Sequence, residues 1–188
     1  MSPIEIAAAV LGLINVTLVV RRSLWNYPFG LAMVTLYGFI FYREKLYSDA
    51  LLQIFFVVVN LYGWFNWARS RAATGEVRVE TLDDRARLVW LALCVALVLG
   101  WGAMMHRYTD AHFPWWDGAI AMLNVVAQYL QSRRYIESWV LWILVDLLAV
   151  PLFAVKGLIP TAILYTIFLS LCVWGLSDWA KARKARRA

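Results

Sequence analysis

Apolar residues gather in seven blocks along the chain, at 4–20, 27–42, 47–67, 88–105, 118–131, 138–155 and 158–179, separated by short polar breaks. A helix crossing the hydrocarbon core needs about 20 apolar residues, within a range near 17–25. The pattern therefore predicts seven transmembrane helices, the second and fifth shorter than usual and interrupted by polar residues. Only segment 68–87 reads as a true linker, being polar, charged and marked by Gly75. Asn26 is placed to cap the second helix, and Pro28 and Pro160 fall in first turns, where a missing N–H costs nothing. Pro151 lies inside the sixth block and predicts a kink, and so a hinge.

The blocks repeat. Sliding 11–67 forward by 112 positions onto 123–179 requires no gap and gives 12 identities in 57 positions. Leu11/Leu123, Arg21/Arg133, Arg22/Arg134, Phe41/Phe153, Leu46/Leu158, Gly63/Gly175 and Trp67/Trp179 fall in register. The identity is low, but the ungapped match of Arg-Arg, Gly and Trp argues for duplication. An internal repeat in an apolar chain is a signature of secondary transporters. The organisation expected is a first three-helix repeat at 1–67, a linker with a fourth helix and outer loop at 68–116, and a second repeat with a basic tail at 117–188.

Composition agrees with a membrane protein. Hydrophobic residues make up 63% and charged ones 16%, against about 45–50% and 25% in soluble domains. The 11 tryptophans suit membrane interfaces. The net charge of +6 reads as topology rather than nucleic-acid binding. Loops after spans one, three, five and seven hold 14 Lys and Arg, and the opposite side holds Arg43, Lys45, Arg107 and Lys156. The positive-inside rule puts the N-terminus outside and the C-terminus in the cytoplasm. The first block lacks a basic n-region and is followed by Arg21-Arg22, so it reads as an uncleaved helix rather than a signal peptide. Matching spans are four apart, so both repeats point the same way. The fold class expected is an all-α membrane protein with a parallel 3+1+3 repeat, the plan of SWEET-like transporters, in which the fourth span inverts.

Polar groups inside the bilayer are costly and are functional candidates by default. Asp146 is the only acid deep within a span. It suits a counter-charge for a cationic substrate or a proton site; the bland alternative is a hydrogen bond or ion pair between helices. Gln53 and Asn60 are seven apart on span three and share a face, as do Asn124 and Gln128, four apart on span five. With Asn15 they offer amides for a neutral polar ligand, or interhelical hydrogen bonds worth about 0.6 kcal/mol on average. Trp139 and Trp142 lie one turn apart, and Trp142 is four before Asp146. An indole beside a carboxylate suits a flat cation through stacking and cation–π attraction. Trp139 reads better as an interfacial anchor. Tyr165 stands in the second repeat where Gln53 stands in the first, and Tyr37, Tyr62 and Trp174 could complete an aromatic cage or be ordinary packing. Cys94 and Cys172 sit in apolar runs as packed thiols, and His106 and His112 lack a ligand set for a metal.

The segments W-N-Y-P-F-G-L at 25–31, L-L-Q at 51–53, N-L-Y-G-W-F-N-W at 60–67, F-P-W-W-D at 113–117 and R-R-Y-I-E-S-W-V-L-W at 133–142 resemble the PnuC family of vitamin transporters. That resemblance implies facilitated diffusion of an unphosphorylated vitamin through the bacterial inner membrane, trapping by a cytoplasmic kinase, and a homotrimer. It implies a site of aromatics and amides, carried here by Gln53, Asn60, Trp139 and Trp142. It departs at Asp146, where the family's nicotinamide riboside carriers have Asn. Nicotinamide riboside and thiamine both carry a flat cationic ring, and the riboside also offers a carboxamide and hydroxyls. It is therefore the preferred substrate, with thiamine the alternative and flavin less suited to the acid. Neither an enzyme nor a cofactor is expected: paired acids and an H-E-x-x-H motif are missing, and 158–179 holds no lysine for a retinal Schiff base.

Overall fold

The computed structural model describes residues 3–43, 47–109 and 112–186, with the backbone alone at 47–49. Lys45, Leu46 and Arg187, used above in the repeat and the charge tally, lie outside the described residues. Seven helices follow one another: α1 (Pro3–Val20), α2 (Asn26–Arg43), α3 (Tyr47–Thr74), α4 (Asp84–Tyr108), α5 (Pro114–Ser132), α6 (Glu137–Val155) and α7 (Ile159–Ala185). Among the described residues, α1, α3 from Ala50, α4, α6 and α7 are long and apolar enough to cross a membrane. The helices α2 and α5 are not short, as expected, but 18 and 19 residues long. What they lack is apolarity: glycines and tyrosines dilute α2, and Asp117, Asn124 and Gln128 dilute α5.

The linker is also shorter than the polar pattern suggests. Helix α3 continues to Thr74 and α4 begins at Asp84, because Arg69, Arg71 and the alanines beside them are good helix formers. Asp83 caps α4, its Oδ1 accepting from Ala86 N at 2.7 Å. Pro114 and Pro160 stand at the first turns of α5 and α7, and Pro151 lies inside α6. Asn26 does not act as a flanking cap. It sits within α2, and its amide donates to the Ser23 carbonyl at 2.6 Å.

Neighbouring helices pack in sequence except α3 and α4, which do not touch. Helix α4 packs on α5, while α1 packs on α7 and α3 on α5. Shifting α1, α2 and α3 by 112 residues reproduces the limits of α5, α6 and α7 to within one residue. The turns that end α1 and α5 match bond for bond. Arg22 N donates to Val19 O and Ser23 N to Leu18 O; 112 residues on, Arg134 N donates to Gln131 O and Tyr135 N to Leu130 O. This is the Schellman pattern, which needs a left-handed residue at its bend. Arg22 (φ 53°) and Arg134 (φ 66°) supply it, although a non-glycine residue there costs roughly 1–2 kcal/mol.

What the two arginines gain lies across the molecule. Arg22 Nη1 donates to Asp178 Oδ2 at 2.7 Å, and Arg134 Nη1 to the main-chain oxygen of Asn66 at 2.9 Å and its Oδ1 at 3.2 Å. Residues 66 and 178 are themselves 112 apart. Tryptophans complete the joint. The Trp67 indole donates to Gln131 O at 3.1 Å, and the Trp179 indole to Val19 O and Val20 O at 3.2 Å each. Each indole so adds a donor to carbonyls at a helix end, where the regular intrahelical bonds run out. Tyr27 packs edge-on against Trp67 at 5.4 Å, and Trp139 against Trp179 at 5.5 Å.

Segment 75–83 closes this joint from the basic side. Val77 and Val79 are buried against Val19, Trp67 and Trp179. Glu80 N donates to Arg134 O, and Ile136 N to Glu80 O. Leu82 N then donates to the Glu137 carboxylate, which also pairs with Arg87 at 2.9 Å. A second apolar cluster, including Cys94, Ile120, Leu123, Val126, Val145 and Leu152, holds α4, α5 and α6 together.

Candidate functional site

The copies diverge where the polar candidates lie. In the first half Gly30 leaves room for two amides: a Cβ at that position would lie 2.8 Å from Asn15 Nδ2 and 3.1 Å from Asn60 Oδ1. Asn15 donates to the Asn26 carbonyl at 2.7 Å, and Asn60, buried, donates back to Phe56 O at 2.8 Å. Gln53 lies farther along the same face of α3, its Cβ 3.4 Å from the corresponding position on Gly38. Gln53 and Asn60 therefore both face α2, because its glycines let α3 approach closely.

In the second half Trp142 replaces Gly30, Asp146 replaces Val34 and Cys172 replaces Asn60 under the same 112-residue shift. The Trp142 indole donates to Gln131 Oε1 at 2.6 Å, which fixes its ring beside the joint. Asp146 is only 3% exposed. The Cys172 thiol lies beside its carboxyl group, while Oδ2 has no hydrogen-bond partner. Tyr165 on α7 lies within electrostatic reach of Asp146 and of Tyr37, and its ring contacts Phe153 at 5.1 Å and Phe168 at 5.9 Å. Phe168 in turn reaches Gly12 on α1.

The sequence candidates thus fall into two groups. Trp142, Asp146 and Tyr165 belong to one region with Gln131 and Cys172, and Gln53 and Asn60 to another with Asn15. Among the described residues no hydrogen bond or ring contact links the groups. Asn124 and Gln128 are half-buried on α5. Trp139 is not an interfacial anchor. It is 1% exposed and lies over Gly175, where a Cβ would meet its ring at 2.5–2.6 Å. Trp174 is exposed on the outside of α7, which removes it from any interior cage. Tyr62 stacks parallel to Tyr129 at 6.5 Å, and Tyr37 on Phe41 at 5.8 Å.

Two partners were not singled out from the sequence. Gln131 is spaced from Trp142 across a turn that only the fold closes. Cys172 reads as packing until the repeat is laid over it and shows it opposite Asn60. Elsewhere several polar groups are paired. Asp117 pairs with Lys156 at 2.7 Å, with His112 lining the same groove, while His106 packs on Trp115. Burial pulls the Arg134 guanidinium below its ordinary pKa, with the Glu80 carboxylate opposing the shift.

The family model described as nicotinamide mononucleotide transporter matches residues 2–181. The chain belongs to this family. Relatives match along nearly the whole length. The nicotinamide riboside transporter PnuC of Escherichia coli is 30% identical over 99% of this chain and 88% of its own. The PnuC of Neisseria mucosa is 31% identical over 94% and 72%. The riboflavin/roseoflavin transporter RibM of Streptomyces davaonensis is 34% identical over 93% and 83%. A crystal structure of the vitamin B3 transporter PnuC matches with a TM-score of 0.78 at 31% identity, over 95% of this chain and 81% of that one. As a member of this family, with several apolar helices, the chain is a multi-pass membrane protein and a transporter. Thiamine finds no support among these relatives.

Proposed function

We propose that this transporter takes up nicotinamide riboside by facilitated diffusion across the bacterial inner membrane, with cytoplasmic phosphorylation keeping the flow inward. The observation that carries the cationic substrate is the buried Asp146 with an unpartnered Oδ2, one helical turn from Trp142. A pyridinium ring would stack on that indole and neutralise the carboxylate. The 5′-phosphate of the mononucleotide would be repelled there. Gln128, Asn124, Gln53 and Asn60 supply amides for the carboxamide and ribose hydroxyls. Trp139 would act from behind, as support for α7 rather than as a ligand.

The exchange of contacts at the joint supports a parallel 3+1+3 arrangement of the SWEET type, with repeats at 1–67 and 117–188 about an axis along the membrane normal. Helix α4 inverts the direction between them. The basic joint faces the cytoplasm, leaving the N-terminus outside, and the bundles rock about the bound vitamin with Pro151 as hinge. A homotrimer is the assembly expected for the family resemblance.

A second reading is riboflavin, favoured by the 34% identity to RibM. Calorimetry on purified protein with nicotinamide riboside, its 5′-phosphate and riboflavin decides between them. The riboside should bind and its phosphate should not. Tighter binding of riboflavin would reverse the assignment.

A further inference from the structure

We infer that the cleft between α3 and α4 binds an anionic phospholipid, with Arg133 holding its phosphate and the two helices flanking its acyl chains. The inference is independent of the substrate assigned above.

The cleft exists because α3 and α4 do not touch, although both pack on α5. Tyr129 of α5 forms its floor. The Tyr62 ring of α3 stacks parallel to Tyr129 at 6.5 Å, and the Trp90 ring of α4 meets it at 5.5 Å. Tyr62 is exposed, so the cleft opens sideways toward the bilayer. Arg133 lies one turn beyond Tyr129, and its Nη1 reaches the Tyr129 hydroxyl at 3.5 Å. Its guanidinium carbon stands 6.0 Å from the centre of the Tyr135 ring, with Tyr62 also within electrostatic reach.

The charge at this end of the cleft is unbalanced. Among the described residues no carboxylate pairs with Arg133, because the nearby acids serve other arginines. Glu137 and Asp84 bind Arg87, and Glu80 faces Arg134 at 3.9 Å. A guanidinium carries five N–H donors, and Arg133 donates one of them to a neutral phenol. Donors without an anionic acceptor suit the oxygens of a phosphodiester, which Arg binds through paired N–H groups. Arg69, exposed and seven residues past Tyr62, adds a second cation on the same stripe of α3.

Polarity along the cleft follows the order of a lipid molecule. Arg133 and Arg69 stand at the basic end, and the rings of Tyr62, Tyr129 and Trp90 come next. Toward the middle of the helices the walls turn aliphatic. Val58, one turn before Tyr62, and Leu93, one turn after Trp90, are both exposed. Charged, aromatic and aliphatic surface in that sequence matches headgroup, interface and hydrocarbon. Basic pockets between transmembrane helices hold anionic headgroups in this way. A free phosphate would use the charged end alone and leave the aliphatic walls uncovered. A lipid seated here bridges α4 to α3, which no protein contact does.

The test is native mass spectrometry of the purified full-length protein in detergent, after incubation with phosphatidylglycerol or phosphatidylcholine. The wild type should retain about one phosphatidylglycerol per chain, and at least about fivefold less phosphatidylcholine. Arg133→Ala, checked for folding and oligomeric state by gel filtration, should lose that preference. Arg71→Ala should keep it, because Arg71 lies about two and a half turns after Tyr62, on the opposite face of α3. Equal retention of the two lipids by the wild type overturns the site without any variant. A preference unchanged in Arg133→Ala overturns it too. Displacement of the lipid by inorganic phosphate alone would mark a small-anion site instead. An altered oligomeric state in Arg133→Ala, with the preference intact, would mark an interface between copies; either result also overturns the proposal.

Discussion

The Trp67 indole reaches out of the first three helices to the carbonyl of Gln131, 3.1 Å away at the end of α5. Shifted by 112 residues, the same bond runs back from Trp179 to Val19. Both rings are fully buried and meet one another at 5.8 Å, so the joint is built of two copies of one contact. Trp67→Phe and Trp179→Phe should therefore cost similar amounts. Loss of the hydrogen bond contributes about 0.5–1.5 kcal/mol and the smaller ring adds to it. Thermal unfolding in detergent measures this, and a large asymmetry between the two variants would contradict the equivalence.

Gly175 is required by the Trp139 ring that lies on it. A Cβ there would approach three ring atoms at 2.5–2.6 Å, and that ring is fully buried with nowhere to move. Gly175→Ala should cost about 1–3 kcal/mol through overpacking. Gly100 on α4 is the control, since a Cβ there meets nothing within 4 Å. Gly100→Ala should be neutral or stabilising by up to about 1 kcal/mol. Melting temperatures of the two variants separate the cases.

The two arginine bridges should differ in weight. Arg22 and Asp178 are partly exposed, at 25% and 38% of their side chains, and pairs of this kind contribute about 0–1 kcal/mol. Asp178→Asn should be tolerated, because it recreates the Arg–Asn contact that Arg134 already makes with Asn66. Arg134→Ala should be worse by at least about 1 kcal/mol, since it strips charge-assisted bonds from part-buried Asn66 groups. Yield and melting temperature of the purified variants would show the order, and equal losses would contradict it.

Trp142 should matter more to binding than to folding. It is partly buried and held by a single bond to Gln131. Trp142→Ala should weaken binding of a flat cation by about 1–2 kcal/mol, or about 5- to 30-fold. Gln131→Ala, which frees the indole, should weaken it less. Titration calorimetry provides both values; unchanged affinity in Trp142→Ala removes the stacking role.

Much of the fold could be read from residues with strong local rules. Pro160 marked a helix start, and the register of Arg22/Arg134, Gly63/Gly175 and Trp67/Trp179 pointed to the positions that now form the joint. The rest was hidden for a physical reason. In a membrane both the lipid face and the packed face are apolar, so periodicity did not say that Trp139 is buried or that Trp174 is exposed. Nor does an arginine advertise a left-handed turn, which usually calls for glycine. The path of residues 75–83 into the joint depends on two valines in a mostly polar stretch. At the candidate site the unusual residues were visible as differences between the repeats, but their partners Gln131 and Cys172 required the fold.

Uptake of labelled nicotinamide riboside into liposomes holding the purified protein tests the central claim most directly. At equal pH on both sides, uptake should be saturable, should stop when the inside concentration reaches that outside, and should fall by about fivefold or more at low substrate in Trp142→Ala. Binding of the riboside with no movement across the membrane would contradict the account.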